Sequence, residues 1–262
     1  MPEGLDKLAG AIGDTLKTAP TLYEDALQPT VQEVGKFAAR IPRAINAAFS
    51  SLDKWILNKE YAIDETKKLL EKKLENVDPD KIVEPEAYVA VPAIQSISYS
   101  MNSKELRNLY ANLLAKAMNS DTKNKVHPSF VEIIKQMSPI DALVLKIIME
   151  RDYNPLIDII KKNTTGEFTV IATNISDIFI APIEVICLSI NNFIRLGLIS
   201  IPEGNFYSDT THYERILSSK YYLESEKEIS SGSGNFKLSY KKHLILKTHL
   251  GLLFYKICIS NQ

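Results

Sequence analysis

The side chains best suited to catalysis or metal binding are few in this chain: four histidines, two cysteines and one dense run of carboxylates. His127, His212, His243 and His249 include no pair at the i, i+4 spacing that sets two imidazoles on one helical face, and neither Cys187 nor Cys258 sits in a CxxC. Metal binding is therefore not expected. Cys187 stands among Val185, Ile186 and Leu188, where burial raises a thiol pKa and makes a poor nucleophile. Asp78, Asp80, Glu84 and Glu86 carry enough oxygens for a divalent cation, yet they alternate with Pro79 and Pro85 in the manner of an exposed turn. No segment matches GxxxxGKS/T, GxGxxG or GxSxG, so neither a phosphate-cradling loop nor a nucleophile elbow is predicted. The expectation is a non-enzyme with no catalytic residue, no metal and no cofactor.

Amides and amines offer more pattern. In "LRNLYANLLAKAMN", Leu106, Leu109, Tyr110, Leu113, Leu114 and Ala117 form an apolar helical stripe. Asn108, Asn112, Lys116 and Asn119 recur at spacings of three and four on another face, either as a docking surface or as the wet side of the helix. In "NFKLSYKKHLILK", alternation puts Lys237, Lys241, His243 and Lys247 on one side of a strand. That is a weak candidate nucleic-acid patch, or lysines guarding a sheet edge. Leu5, Leu8, Ile12 and Leu16 give the N-terminus an apolar face that a lipid surface could meet, although Glu3, Asp6 and Asp14 weaken attraction to anionic lipid.

The elements that must hold these groups are legible from periodicity and punctuation. Residues 1–45 read as short amphipathic helices broken by Pro20, Pro29 and Pro42, and residues 46–137 as a helical bundle. Within the bundle, a charged helix is predicted over Asp64–Asn76. The next starts near Glu86, with Pro92 tolerable in its first turn or at a kink. Asn102 and Glu105 form a capping-box-like pair ahead of the helix holding the asparagines, while Pro128 and Ser138–Pro139 mark further starts.

From Ser138 the rhythm changes. Helices are predicted over Pro139–Arg151, Pro155–Lys162 and Pro182–Leu196, with strands in "FTVIAT", "GLISI" and "NFKLSYKKHLILK" and a closing helix in "THLGLLFYKICI". Three helices followed by strands is winged-helix order. The fold class is therefore mainly α: a helical bundle followed by a degenerate winged-helix (α+β) domain over 138–262. An insertion at about residues 203–235, holding "SSGSG", is expected to be mobile. The third helix offers only Glu184, Asn191, Asn192 and Arg195, too little positive charge for a DNA groove.

Composition sets the outer bounds. At 45% hydrophobic and 24% charged the chain can bury a real core, and a net charge of -1 provides no overall basic field for nucleic acid. Both cysteines lie in apolar runs, which fits a reducing, cytoplasmic setting. The N-terminus lacks the pattern of a secretory leader. Asp177, Pro182, Glu184 and Arg195 break the apolar stretch from Phe168 to Ile201 short of the roughly 20 residues a membrane span needs.

The segments "KWILNKEY", "LRNLYANLLAKAMN" and "VHPSFVEIIKQMSP" resemble the Abi-alpha family of bacterial proteins linked with abortive infection against phage. The likeness covers about residues 40–200 and runs more loosely to "HLGLLFYKICI". It implies antiviral defence and brings no catalytic motif to any position here. Three readings follow. One is a non-enzymatic protein that meets another defence-system protein or its own copies as a homo-oligomer. The second is a membrane-disrupting effector using the N-terminal helices, in peripheral contact with the inner face of the membrane. The third is a winged-helix regulator that binds DNA.

Overall fold

The computed structural model describes residues 42, 43, 45, 46, 60–100, 102–231 and 236–260, so the stripe of Leu5, Leu8, Ile12 and Leu16 lies outside the described residues. Helix α1 (Glu60–Leu74) leads into a 3-10 turn over Pro79–Lys81, which Asp78 caps by accepting the Asp80 N–H at 3.0 Å. Helix α2 (Ala87–Tyr99) carries Pro92 in its interior, and Ser96 Oγ donates to the Pro92 carbonyl at 2.7 Å. Helix α3 (Lys104–Ala117) is capped by Ser103 rather than Asn102: the Ser103 hydroxyl accepts the Leu106 N–H at 3.2 Å and donates to Glu105. Ser103 has the extended backbone an N-cap needs, which moves the start by one residue. Helix α4 (Ser129–Lys135) follows Pro128, and α5 (Pro139–Glu150) opens with a reciprocal capping box between Ser138 and Asp141.

After α5 one predicted helix is replaced. Pro155–Asn163 forms strand β1, pairing antiparallel with β2 (Phe168–Ser176) on one side and with a later strand on the other. A short apolar run carries no period that separates a buried strand from a buried helix. Here the β-branched Ile157, Ile159 and Ile160 favour the pleated surface, and all three are buried. The order after α5 is thus hairpin and then helix α6 (Ile183–Arg195), not two further helices. Gly197, with φ 72°, ends α6 and releases the chain into β3 (Ile199–Ser200).

The insertion expected to be mobile is structured over its described part. It contains α7 (Glu214–Leu217) and α8 (Lys220–Ser231), and it buries Tyr213, Ile216 and Tyr222. The Gly-Ser run marks only its end; the aromatic residues upstream supply the mass that packs. Strand β4 (Phe236–Leu244) completes a sheet of order β2-β1-β4, and β5 (Leu246–Lys247) pairs with β3 in a separate two-stranded ladder. The chain then forms α9 (His249–Phe254) and a π turn over Tyr255–Ile259.

A single hydrophobic core runs from Ile45 through α1–α6 to Ile259, crossing the boundary predicted at 137/138. The Phe130 and Phe254 rings meet edge to face at 5.6 Å and join α4 to α9. At Gly251 a Cβ would run into the Leu198 carbonyl oxygen, so α9 crosses the start of β3 at the closest approach two backbones allow. A smaller core of Ile157, Ile159, Ile175, Tyr213, Ile216 and Tyr222 lies under the three-stranded sheet.

Candidate functional site

The asparagine and lysine row of α3 leads into an open concavity of about 740 Å³ between α1, α3, α5 and the C-terminal turn. Among the described residues, Lys72, Lys73, Lys104, Lys116 and Lys146 line it with one carboxylate, Glu105. Asn76 and Asn108 add amides, and Leu69, Leu109 and Ala142 add apolar surface. Asn108 and Lys116 are therefore brought together as the spacing predicts. Asn112 is not a surface group: it is 6% exposed, and its Nδ2 donates to the Cys258 carbonyl at 2.8 Å, fastening α3 to the C-terminal π turn. Asn119 lies past the end of α3 and outside the lining, where it forms a β-bridge with Ile82 and accepts the Asp121 N–H. A helical period cannot carry a face beyond the last helical residue.

Charge inside the concavity is poorly balanced. Lys73 is half-buried, and its pKa is lowered first by that burial and then by the ammonium of Lys72. Lys72, Lys73 and Lys104 form no ion pair with a carboxylate among the described residues. Lys146 meets Glu150 only at 3.8 Å. The sequence reading missed Lys72, Lys73 and Lys146 because each belongs to a face that looks like ordinary solvated helix. Only packing turns those faces toward one another.

The strand patch breaks apart. Lys237 and Lys241 are exposed on β4, and Lys241 Nζ stands 4.0 Å from the Phe168 ring centroid across the sheet. His243 is partly buried beside Asp158, with Nε2 3.2 Å from Oδ2; the contact has the distance of an ion pair without the direction of a hydrogen bond. Lys247 donates to the carbonyls of Met149 at 2.9 Å and Arg151 at 2.7 Å, capping the end of α5. Its alternation with Lys241 and His243 fails because buried Ile245 separates β4 from β5. His243 and Lys247 are thus removed from any nucleic-acid face, leaving two lysines. In α6, Asn191 accepts from Asn174 Nδ2, Asn192 donates to the Gln136 carbonyl, and Arg195 donates to Gln136 Oε1, each at 2.8 Å. These groups tether α6 rather than face a groove.

Burial favours the protonated thiol at both cysteines. Burial, reinforced by Glu184, pushes the Cys187 thiol up to about 11, and complete burial raises Cys258 well above its ordinary value. Asp177 was not legible as a structural hub. It accepts from Arg151 at 2.7 Å and lies 3.3 Å from Arg215, linking the end of α5 to α7 through residues far apart in sequence. Among the described residues no three His, Cys, Asp or Glu side chains converge as metal ligands, and no helix is long and apolar enough to cross a membrane.

A sequence profile of the abortive infection alpha family matches residues 58–258, from just before α1 to the penultimate residue of the π turn. The chain belongs to the abortive infection alpha family. All the described helices and strands with assigned labels, from α1 to α9, fall within or at the edge of the Abi-alpha match. No curated protein matches the chain. A solved structure of an uncharacterized protein from the hydrocarbon-degrading marine bacterium Alcanivorax borkumensis SK2 is similar at 15% identity and a TM-score of 0.34, covering 50% of this chain and 92% of that one. That likeness is too slight to carry a structural argument.

Proposed function

We propose that this Abi-alpha protein acts in abortive infection without catalysis, by contact between copies of the chain, and that strand β2 forms the contact. The observation that carries the reading is the difference between the two edges of the sheet. β4 holds Lys237, Lys241 and Lys242 and packs against α8, the usual protection of an edge. β2, "FTVIATNIS", has no charge, proline or glycine, and its outer edge pairs with no strand among the described residues. Phe168, Val170 and Ile171 are 50%, 45% and 43% exposed, and Leu188 on the neighbouring α6 is 69% exposed. An uncharged strand is complementary to itself in the antiparallel sense, so a two-fold axis perpendicular to β2 satisfies both sets of open backbone groups.

The region from α5 through α6 to the β3–β5 ladder keeps a helix, helix, strand, strand order. This supports a winged-helix remnant used for protein contact, with the β1–β2 hairpin standing where a second helix would be. Sedimentation of the full chain and of Val170→Lys/Ile171→Lys tests the proposal. The wild-type chain is expected to sediment as a dimer and the variant as a folded monomer that no longer protects cells from phage. A wild-type monomer at micromolar concentration, or a variant that still assembles and protects, would remove β2 from the account.

A further inference from the structure

We infer that the concavity between α1, α3 and α5 is a binding site for a small anion bearing two or more phosphate groups. The inference stands apart from β2, since no residue of that strand lines the site. It starts from a concentration of charge: in a chain of net charge -1, Lys72, Lys73, Lys104 and Lys146 converge on one depression whose lining holds one carboxylate among the described residues. A half-buried ammonium beside another ammonium is unfavourable, because burial removes the water that screens their repulsion. Lys73 and Lys72 are in that position. An anion seated against Lys73 and its neighbour Lys72 offsets the solvation that burial removes from Lys73.

The shape and chemistry of the lining narrow the ligand. Small-molecule sites commonly enclose about 300–1,000 Å³, and the cavity of about 740 Å³ falls in that range while being bounded by helices on several sides. Its cations are lysines, with no arginine in the lining. Separate ammonium groups act as point charges with rotatable donors, and each can meet a different oxygen of phosphates spread along a chain. Lys72 and Lys73 come from α1, Lys104 from α3 and Lys146 from α5, so charges approach the cavity from three helices. Asn76 and Asn108 supply neutral donors between them, and Leu69, Leu109, Ala142 and Leu143 provide apolar surface for an organic moiety. An acidic peptide is the rival occupant. It spreads one charge per residue along its backbone, whereas a polyphosphate brings several charges into a single depression.

The test is calorimetric titration of the full chain with sodium tripolyphosphate at low and moderate salt, with a hexaglutamate peptide as the competing probe. Saturable binding near one equivalent is expected, weakening as salt rises. Lys72→Ala/Lys73→Ala and Lys104→Ala/Lys146→Ala should each weaken it roughly tenfold or more, as expected from losing two charge-assisted contacts. Lys237→Ala/Lys241→Ala, on the distant strand, should leave it unchanged. Circular dichroism checks each fold, and if the first pair fails to fold, the second decides. No saturable binding at millimolar tripolyphosphate, equal weakening by the strand pair, or tighter binding of hexaglutamate would each overturn the assignment. These outcomes do not depend on whether the chain dimerises through β2.

Discussion

The helical body and the sheet lobe solve the same burial problem differently. In the body, α3 is covered on nearly every side: Leu109, Tyr110, Leu113 and Leu114 are buried in the main core, and even Asn112 is enclosed with its amide committed to the Cys258 carbonyl. In the lobe, β1 is buried through most of Pro155–Ile160, yet its neighbour β2 is exposed along its first half on both faces. A helix satisfies its own backbone bonds and asks only for apolar cover. A strand leaves one row of donors and acceptors open unless something pairs with it. The body is therefore self-sufficient, while the lobe ends on an incomplete surface.

Truncation in the body should give the largest effect. Phe130→Ala empties a fully buried position that joins α4 to α9 and is expected to cost about 3–5 kcal/mol in urea denaturation. A value below about 1 kcal/mol would show that the two aromatic rings are not a keystone of the body.

The next test separates polar from apolar cover. Asn112→Ala leaves the Cys258 carbonyl without its donor and should cost about 1–3 kcal/mol, with lowered protection of the C-terminal turn against hydrogen exchange. Were Asn112 an interface group instead, assembly would change and stability would not.

A smaller contrast is gated by pH. Burial pushes Tyr110 in the body up to about 12 and Cys187 beside the lobe up to about 11. Both acids hold their proton more tightly when folded than when unfolded. Their contribution is therefore intact below the ordinary values of 10.0 and 9.0 and is lost as pH climbs through the folded ones. Urea midpoints should fall between pH 8 and 11, and Cys187→Ala should flatten the earlier part of that decline. A midpoint that stays level across this range would contradict the sign.

The smallest expected change in stability comes at β2. Val170→Lys/Ile171→Lys should alter the unfolding free energy of the isolated chain by only about 0.5 kcal/mol, since both side chains already face solvent. A large loss would mean that β2 is part of the fold's support and would blunt the contrast between the two regions.

Legibility followed the same division. The start of α5 was readable from Ser138 followed by Pro139, a signal carried by adjacent residues, although the cap expected at Asn102 falls one residue later at Ser103. The partial burial of Cys187, which raises its thiol pKa, was readable from its apolar neighbours. Strand β1 was not, because its run of isoleucines suits a buried helix until β2 and β4 are placed on either side. The insertion after Pro202 misled for a related reason: its Gly-Ser end is conspicuous, while the value of Tyr213 and Tyr222 depends on a sheet to cover.

The candidate site divides at a finer grain. Local spacing was enough to put Asn108 and Lys116 on one side of α3, because helical geometry fixes direction over a few residues. Packing alone decided that Asn112 on that side would be enclosed, that Lys247 would turn inward to cap α5, and that Lys72, Lys73 and Lys146 would join the same depression. Sequence by itself determined most of the helices of the body and the start of α5, since these depend on interactions between near neighbours. Which polar groups meet, and which strand edge stays open, depended on residues separated by much of the chain, and only the tertiary structure brings those into contact.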